Sequence, residues 1–195
     1  MNKIKITALI FAIMFVCAAL VSCGKDKDGV PSGMIEVGGE LNTEYRLFVP
    51  NDWTVDIATG FVSAHAQDGS NVSVQVVSTG GVYTSSADYI VRIDNETYNG
   101  LTEYFEKVYL PTIQTTFASL TLDEQYTQGQ KLGDEERACK YVYSVTSGGK
   151  DYKIMQILAV HGSEIYIFTY TAREPNYDKH LEEVNDKILQ NFIFR

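Results

Sequence analysis

The chain has 195 residues, 45% hydrophobic and 12% aromatic, with 16 basic and 25 acidic side chains and a formal net charge of −9. That length suits one domain of ordinary size, and the apolar content excludes both a disordered chain and a multi-span membrane protein. The acidic balance excludes a general affinity for nucleic acid, whose phosphates it would repel.

The first residues read as an address. Lys3 and Lys5 form a positive start, and residues 6–21 then run almost unbroken apolar, slightly short for a membrane-spanning helix of about 20 residues. The run closes in Leu20-Val21-Ser22-Cys23 followed by Gly24. That tetrapeptide resembles the lipobox of bacterial lipoproteins, in which a Cys becomes the mature N-terminus and its thiolate takes a diacylglyceryl chain. The resemblance implies a lipoprotein signal peptide over residues 1–22 and lipidation at Cys23. Cleavage there removes two lysines and no acid, so the charge falls from −9 to −11. Cys17 leaves with the signal, and Cys139 remains with no thiol to pair with.

Residues 23–43 read as a flexible tether, rich in Gly, Lys and Asp, with too little apolar surface to offset the entropy of ordering. Met34, Ile35 and Val37 are the exception and are expected to add a short edge strand. From residue 44 to residue 195 apolar periodicity persists without a second linker, which predicts a single domain.

Thirteen Tyr and nine Phe lean that domain towards β-structure. Residues 45–49 form a strand stopped by Pro50, and Trp53, Val55 and Ile57 alternate with polar residues as a half-buried strand. Residues 61–66 and 71–77 flank Gln67-Asp68-Gly69-Ser70, a hairpin signal because Asp-Gly suits positive φ. Val72, Val74 and Val76 would share one face. Leu101, Tyr104, Phe105, Val108 and Tyr109 follow a period near 3.6, predicting a helix that Pro111 kinks or splits before it ends near Phe117. No element is assigned between Val77 and Leu101 or between Phe117 and Arg137. Three long strands follow over residues 137–146, 152–160 and 164–171, joined by turns at Ser147-Gly148-Gly149 and His161-Gly162. Cys139, Tyr141, Tyr143 and Val145 would line one face of the first. The last helix starts near Asn176 and carries the stripe Tyr177, Leu181, Val184, Ile188 and Phe192, with Glu183 and Lys187 paired outside. Strands, helix, strands, helix in this order predict an α+β fold, a central antiparallel β-sheet with helices packed on it.

Several of these segments together resemble the PsbP-like family. Leu47-Phe48-Val49-Pro50 with Asp52-Trp53 resembles its opening strand, and Tyr152-Lys153-Ile154-Met155-Gln156 its middle strand. Residues 166–172 followed by Tyr177 resemble its last strand and the entry to its terminal helix, and Asn191-Phe192-Ile193-Phe194 its terminal turn. The resemblance covers about residues 45–195. It implies an α/β/α sandwich, the fold of the photosystem II extrinsic protein and of a Ran-binding nuclear transport factor. It also implies an accessory or binding protein in place of an enzyme. The N-terminal docking segment of the plant photosystem subunit has no counterpart in this Gly-rich tether.

Catalytic signatures are absent: there is no His-Glu-x-x-His, no Cys-x-x-Cys and no Gly-x-Ser-x-Gly. Gly80-Gly81 and Gly148-Gly149 lack phosphate-loop spacing. Cys139 alternates in phase with core tyrosines and reads as a buried thiol. His65, His161 and His180 fall on three different elements, so a metal site needs them to converge with acids. The candidates are His161 with Glu164 across one turn and His180 beside Asp178, with Asp68 a further acid; solvated surface is the plainer reading of all of them. Asp134-Glu135-Glu136 reads as an acidic loop able to attract calcium or a basic partner, more simply as a solvated turn. Tyr83, Tyr89, Tyr98, Tyr104 and Tyr126 lie in or near the less regular segments. They suit a binding surface or half-buried packing, the second being favoured.

The expectation is therefore a lipoprotein of the bacterial cell membrane, lipid-anchored through Cys23 and facing outside the cytoplasm. It would act as a non-enzymatic accessory or protein-binding module with no catalytic residues, no cofactor and an unidentified protein partner. The alternative is a lipoprotein that binds a small solute or a divalent cation.

Overall fold

A computed structural model describes residues 29–38, 44–58, 61–78, 82–84, 89–93 and 96–195. The signal segment, Cys23, most of the 23–43 tether and the Gly80-Gly81 pair lie outside the described residues.

In chain order the elements are β1 (Met34–Val37), β2 (Tyr45–Pro50), β3 (Thr54–Ala58), β4 (Phe61–His65), β5 (Asn71–Ser78), β6 (Val82–Thr84), β7 (Tyr89–Ile93) and β8 (Glu96–Asn99). A helix α1 over residues 100–116 follows, then β9 (Thr121–Leu132), β10 (Glu135–Ser147), β11 (Lys150–His161) and β12 (Glu164–Arg173). A short 3-10 turn (Glu174–Asn176) leads into helix α2 over residues 177–189, and β13 (Ile193–Phe194) ends the chain. Seven strands form one antiparallel sheet in the order β3-β4-β5-β12-β11-β10-β9. Two smaller sheets, β1-β2-β13 and β6-β7-β8, flank it.

Alternation along the long strands builds two cores, one on each face of the large sheet. Tyr166, Phe168 and Tyr170 of β12 with Met155, Ile157 and Ala159 of β11 face α2 and the β1-β2-β13 sheet. Ile165 and Ile167 with Ile154, Leu158 and Val160 face α1. Cys139, Tyr141, Tyr143 and Val145 share the α1 face as expected, and Val72 and Val74 share the α2 face. A helix on each face of a central antiparallel sheet is the α/β/α arrangement of a PsbP-like fold.

Where the elements depart from the sequence reading, the causes are local. Residues 34–37, within the compositional tether, pair with β2, and Met34 and Val37 are buried. Trp53 lies buried in a turn ahead of β3, while Ile57 is 50% exposed because β3 is an edge strand. Pro111 lies in the first turn of a second α-helical piece of α1, residues 110–116, capped at Phe117 as the sequence predicts. A π turn (Phe105–Tyr109) precedes it, and the Leu110 N–H reaches back five residues to the Phe105 carbonyl. Proline has no N–H for the ordinary ladder, and the wider turn accommodates that loss. Residues 118–136 contain β9, which the sequence hid because nearly all of it is exposed and no buried face imposes alternation. The acidic run is not a loop: only Gly133 and Asp134 turn, and Glu135 and Glu136 open β10.

Candidate functional site

Sequence proximity and spatial proximity part company at the histidines. His180, from the first turns of α2, reaches away from Asp178 to the β4–β5 turn, where its Nε2 lies 3.0 Å from Asp68 Oδ2. Lys179 Nζ donates to the same oxygen at 2.9 Å, and the Ser70 backbone N–H donates to Asp68 Oδ1 at 3.0 Å. The Trp53 ring stands edge-on to His180 at 5.7 Å, and Glu183 faces its other nitrogen at 3.8 Å. The His180 and Asp68 side chains are only 14% and 17% exposed. Partial burial disfavours the Asp68 charge, but the hydrogen bonds from Lys179, Ser70 and His180 outweigh it and hold the carboxyl well below the usual range. One carboxylate thus fastens the β4–β5 turn to α2. Asp178 is exposed on the same turn.

His161 stands at the far end of β12. It pairs in register with Glu164 and stacks on Phe194 at 4.3 Å. The Asp68 turn adjoins Asn71, whose register partner is Thr171, so the two histidine sites are separated by most of β12. At a rise of ~3.3 Å per residue they stand roughly 25 Å apart. His65 is bound to Asp56 at 3.1 Å on the outer hairpin. Among the described residues no group of three or more His, Cys, Asp and Glu side chains is placed to hold a metal ion.

The buried polar groups under α1 are set for structure. Burial pushes the Cys139 thiol up, against a weak opposing contact with Thr102 Oγ1 at 3.7 Å, so its thiolate is disfavoured. Burial likewise pushes Tyr109 up to about 12, although Gln156 Nε2 donates to its oxygen at 2.8 Å. Tyr141 and Tyr143 are raised further by the same desolvation.

On and around β9 the sequence marked Tyr126 as a candidate and missed the other surface features. Leu122 and Tyr126 are 36% and 45% exposed on this edge strand, and Lys140 stands over the Tyr126 ring at 5.6 Å. Tyr98 and Tyr104, which shared the expectation with Tyr126, are buried; the side chains of Tyr83 and Tyr89 lie outside the described residues. A shallow polar depression of about 180 Å³ includes Ser119, Ser144, Asp151 and Glu174. A larger cleft of about 320 Å³ lies between β9, β10 and α2, with Lys131, Lys140, Ile157 and Leu189 among its walls. No motif marks these residues, because the strand and helix that bring them together are set by backbone pairing and by core positions elsewhere.

Comparison with known proteins supports the fold. No family model matches the chain, and no curated protein matches it. The cyanobacterial PsbP (CyanoP) of Synechocystis is similar in structure, with a TM-score of 0.55 and 16% identity over 90% of this chain and 99% of that one. LpqN of Mycobacterium tuberculosis, described as involved in cell envelope biogenesis, gives a TM-score of 0.43 and 12% identity over 83% of this chain and 90% of its own. A Bacteroides thetaiotaomicron protein gives 0.44 and 12% identity over 77% of this chain and 45% of its own. The likeness to cyanobacterial PsbP shows a PsbP-like fold.

Proposed function

We propose that the chain is an accessory lipoprotein held outside the cytoplasm on the bacterial cell membrane by lipid on Cys23, and that it works by contacting another protein and catalyses nothing itself. The observation that carries this reading is β9. It is an edge strand of twelve residues, almost wholly exposed, bearing two of the large apolar side chains that the fold leaves outside. Exposed apolar side chains on a pairing-competent edge are a liability unless something uses them. The chemistry agrees: the buried thiol and tyrosines are pushed towards their neutral forms, the reverse of what a nucleophile or general base needs. The Leu-Val-Ser-Cys tetrapeptide supplies the anchor in this reading.

The test is photo-crosslinking in intact cells, with a photoreactive residue at position 122, at position 126, or at Lys150, the exposed first residue of β11. The reading expects one adduct of fixed mass from positions 122 and 126 and none from 150, and it expects the chain to take up labelled palmitate in growing cells and Cys23→Ala to abolish that labelling. Adducts of equal pattern from all three positions, or a chain that takes up no palmitate, would overturn it.

A further inference from the structure

The cleft between β9, β10 and α2 is where two departures from regular backbone meet. The first is in the strands. Lys140 pairs with Tyr126 but Ala138 pairs with Gln130, so two steps along β10 answer four along β9. The surplus residues form a bulge, and Gly129 within them adopts φ +71. The second is in the helix, where a π turn (Val184–Leu189) widens α2 beside the same space and brings Asn185 and Leu189 to its wall. Bulges and π turns cost regular hydrogen bonding and recur beside functional sites. Here both open on one cleft. Its two walls are also fixed relative to each other, since the Gly133 N–H donates to the Leu189 carbonyl at 3.2 Å.

The lining then selects a ligand. Two lysines, Lys131 and Lys140, and three amide residues, Gln130, Asn185 and Gln190, line it, the Lys140 ammonium standing over the Tyr126 ring at 5.6 Å. Ile157 and Leu189, both otherwise buried, give an apolar floor. Among the described residues no carboxylate lines the cleft, in a chain with 25 acidic and only 16 basic residues. The volume, about 320 Å³, falls at the lower end of small-molecule sites. We infer that this cleft binds a small amphiphilic anion, a carboxylate carrying a short aliphatic chain, with its head between Lys131 and Lys140 and its chain on Ile157 and Leu189. This goes beyond the protein-contact reading and needs no protein partner.

Hexanoate is a suitable probe, and amine acetylation of the full chain in detergent, read lysine by lysine by mass spectrometry, reports its place. Hexanoate should slow acetylation of Lys131 and Lys140 saturably while leaving Lys150 and Lys179 unchanged. Hexanol, of the same length without charge, and hexyltrimethylammonium, of opposite charge and inert to acetylation, should not protect. Lys140→Gln should weaken the protection at Lys131 roughly tenfold, the loss of one charge-assisted contact. Lys150→Gln, outside the cleft, should leave that protection intact and serves as the control for a general change of charge. Equal protection by hexanol, protection spread evenly over all lysines, or unaltered protection in Lys140→Gln would each overturn the assignment. A chain that fails to crosslink any partner leaves it standing.

Discussion

Asp68 is one carboxylate joining the β4–β5 turn to α2, and its energetics follow from what surrounds it. Removing its charge while keeping its shape, by Asp68→Asn, leaves Lys179 and His180 facing an amide that holds them poorly. The expected cost is about 1–3 kcal/mol, read as a lower urea midpoint with unchanged slope. The pH dependence has a definite sign. The folded carboxyl is depressed below its unfolded value, so its contribution is fully present above an unfolded pKa of about 3.9. It is lost as pH falls from there towards the folded value. Wild type should therefore lose stability more steeply than Asp68→Asn as the pH is lowered below about 4. Parallel acid profiles for the two proteins would remove Asp68 from this role. Trp53, the single tryptophan, lies against His180 and reports the unfolding of this corner by fluorescence.

Between elements, the β9–β10 turn depends on a glycine for two separate reasons. Gly133 has φ +58, and a side chain there would run into the Phe192 carbonyl oxygen. Gly149, in the β10–β11 turn, has φ +72 but nothing near the space a methyl would fill. Gly149→Ala should then cost only the left-handed strain, about 1–2 kcal/mol. Gly133→Ala adds a backbone collision and should cost roughly 3 kcal/mol or more, with a larger fall in thermal midpoint. Equal losses would mean that Phe192 yields freely. The same pair marks what a sequence discloses about elements. Ser147-Gly148-Gly149 was legible because a two-residue turn between alternating strands needs positive φ locally. Gly133 was not, because its constraint comes from a residue 59 positions along the chain. β10, β11, β12 and α2 were readable from side chains that alternate or recur by burial. β9, with its run from Asp123 to Lys131, buries almost none of its side chains and left no such mark. For that reason the cleft it helps to build went unseen, whereas the histidine candidates, visible by type, proved to lie at opposite ends of one strand.

For the whole molecule, charge and tether act on the same distance. If Cys23 carries lipid, the chain beyond it bears −11, and the ten residues between Cys23 and β1 allow roughly 17 Å of separation by random-coil scaling. An anionic leaflet repels such a domain, and the repulsion acts over a Debye length of about 10 Å at 0.1 M salt and about 3 Å at 1 M. At low salt the domain should stand away from the surface with its edge strands clear of the lipid; at high salt it should sample the full range of the tether. Energy transfer from Trp53 to a dansyl-labelled lipid measures this directly, because no second tryptophan contributes. On vesicles rich in phosphatidylserine, transfer should rise as sodium chloride is raised from about 0.01 to about 1 M, and on phosphatidylcholine vesicles it should stay nearly level. A fall in transfer on the anionic vesicles would mean that the domain is drawn to the surface at low salt. Local basic side chains such as Lys131 and Lys140 would then outweigh the net charge in setting where the module stands.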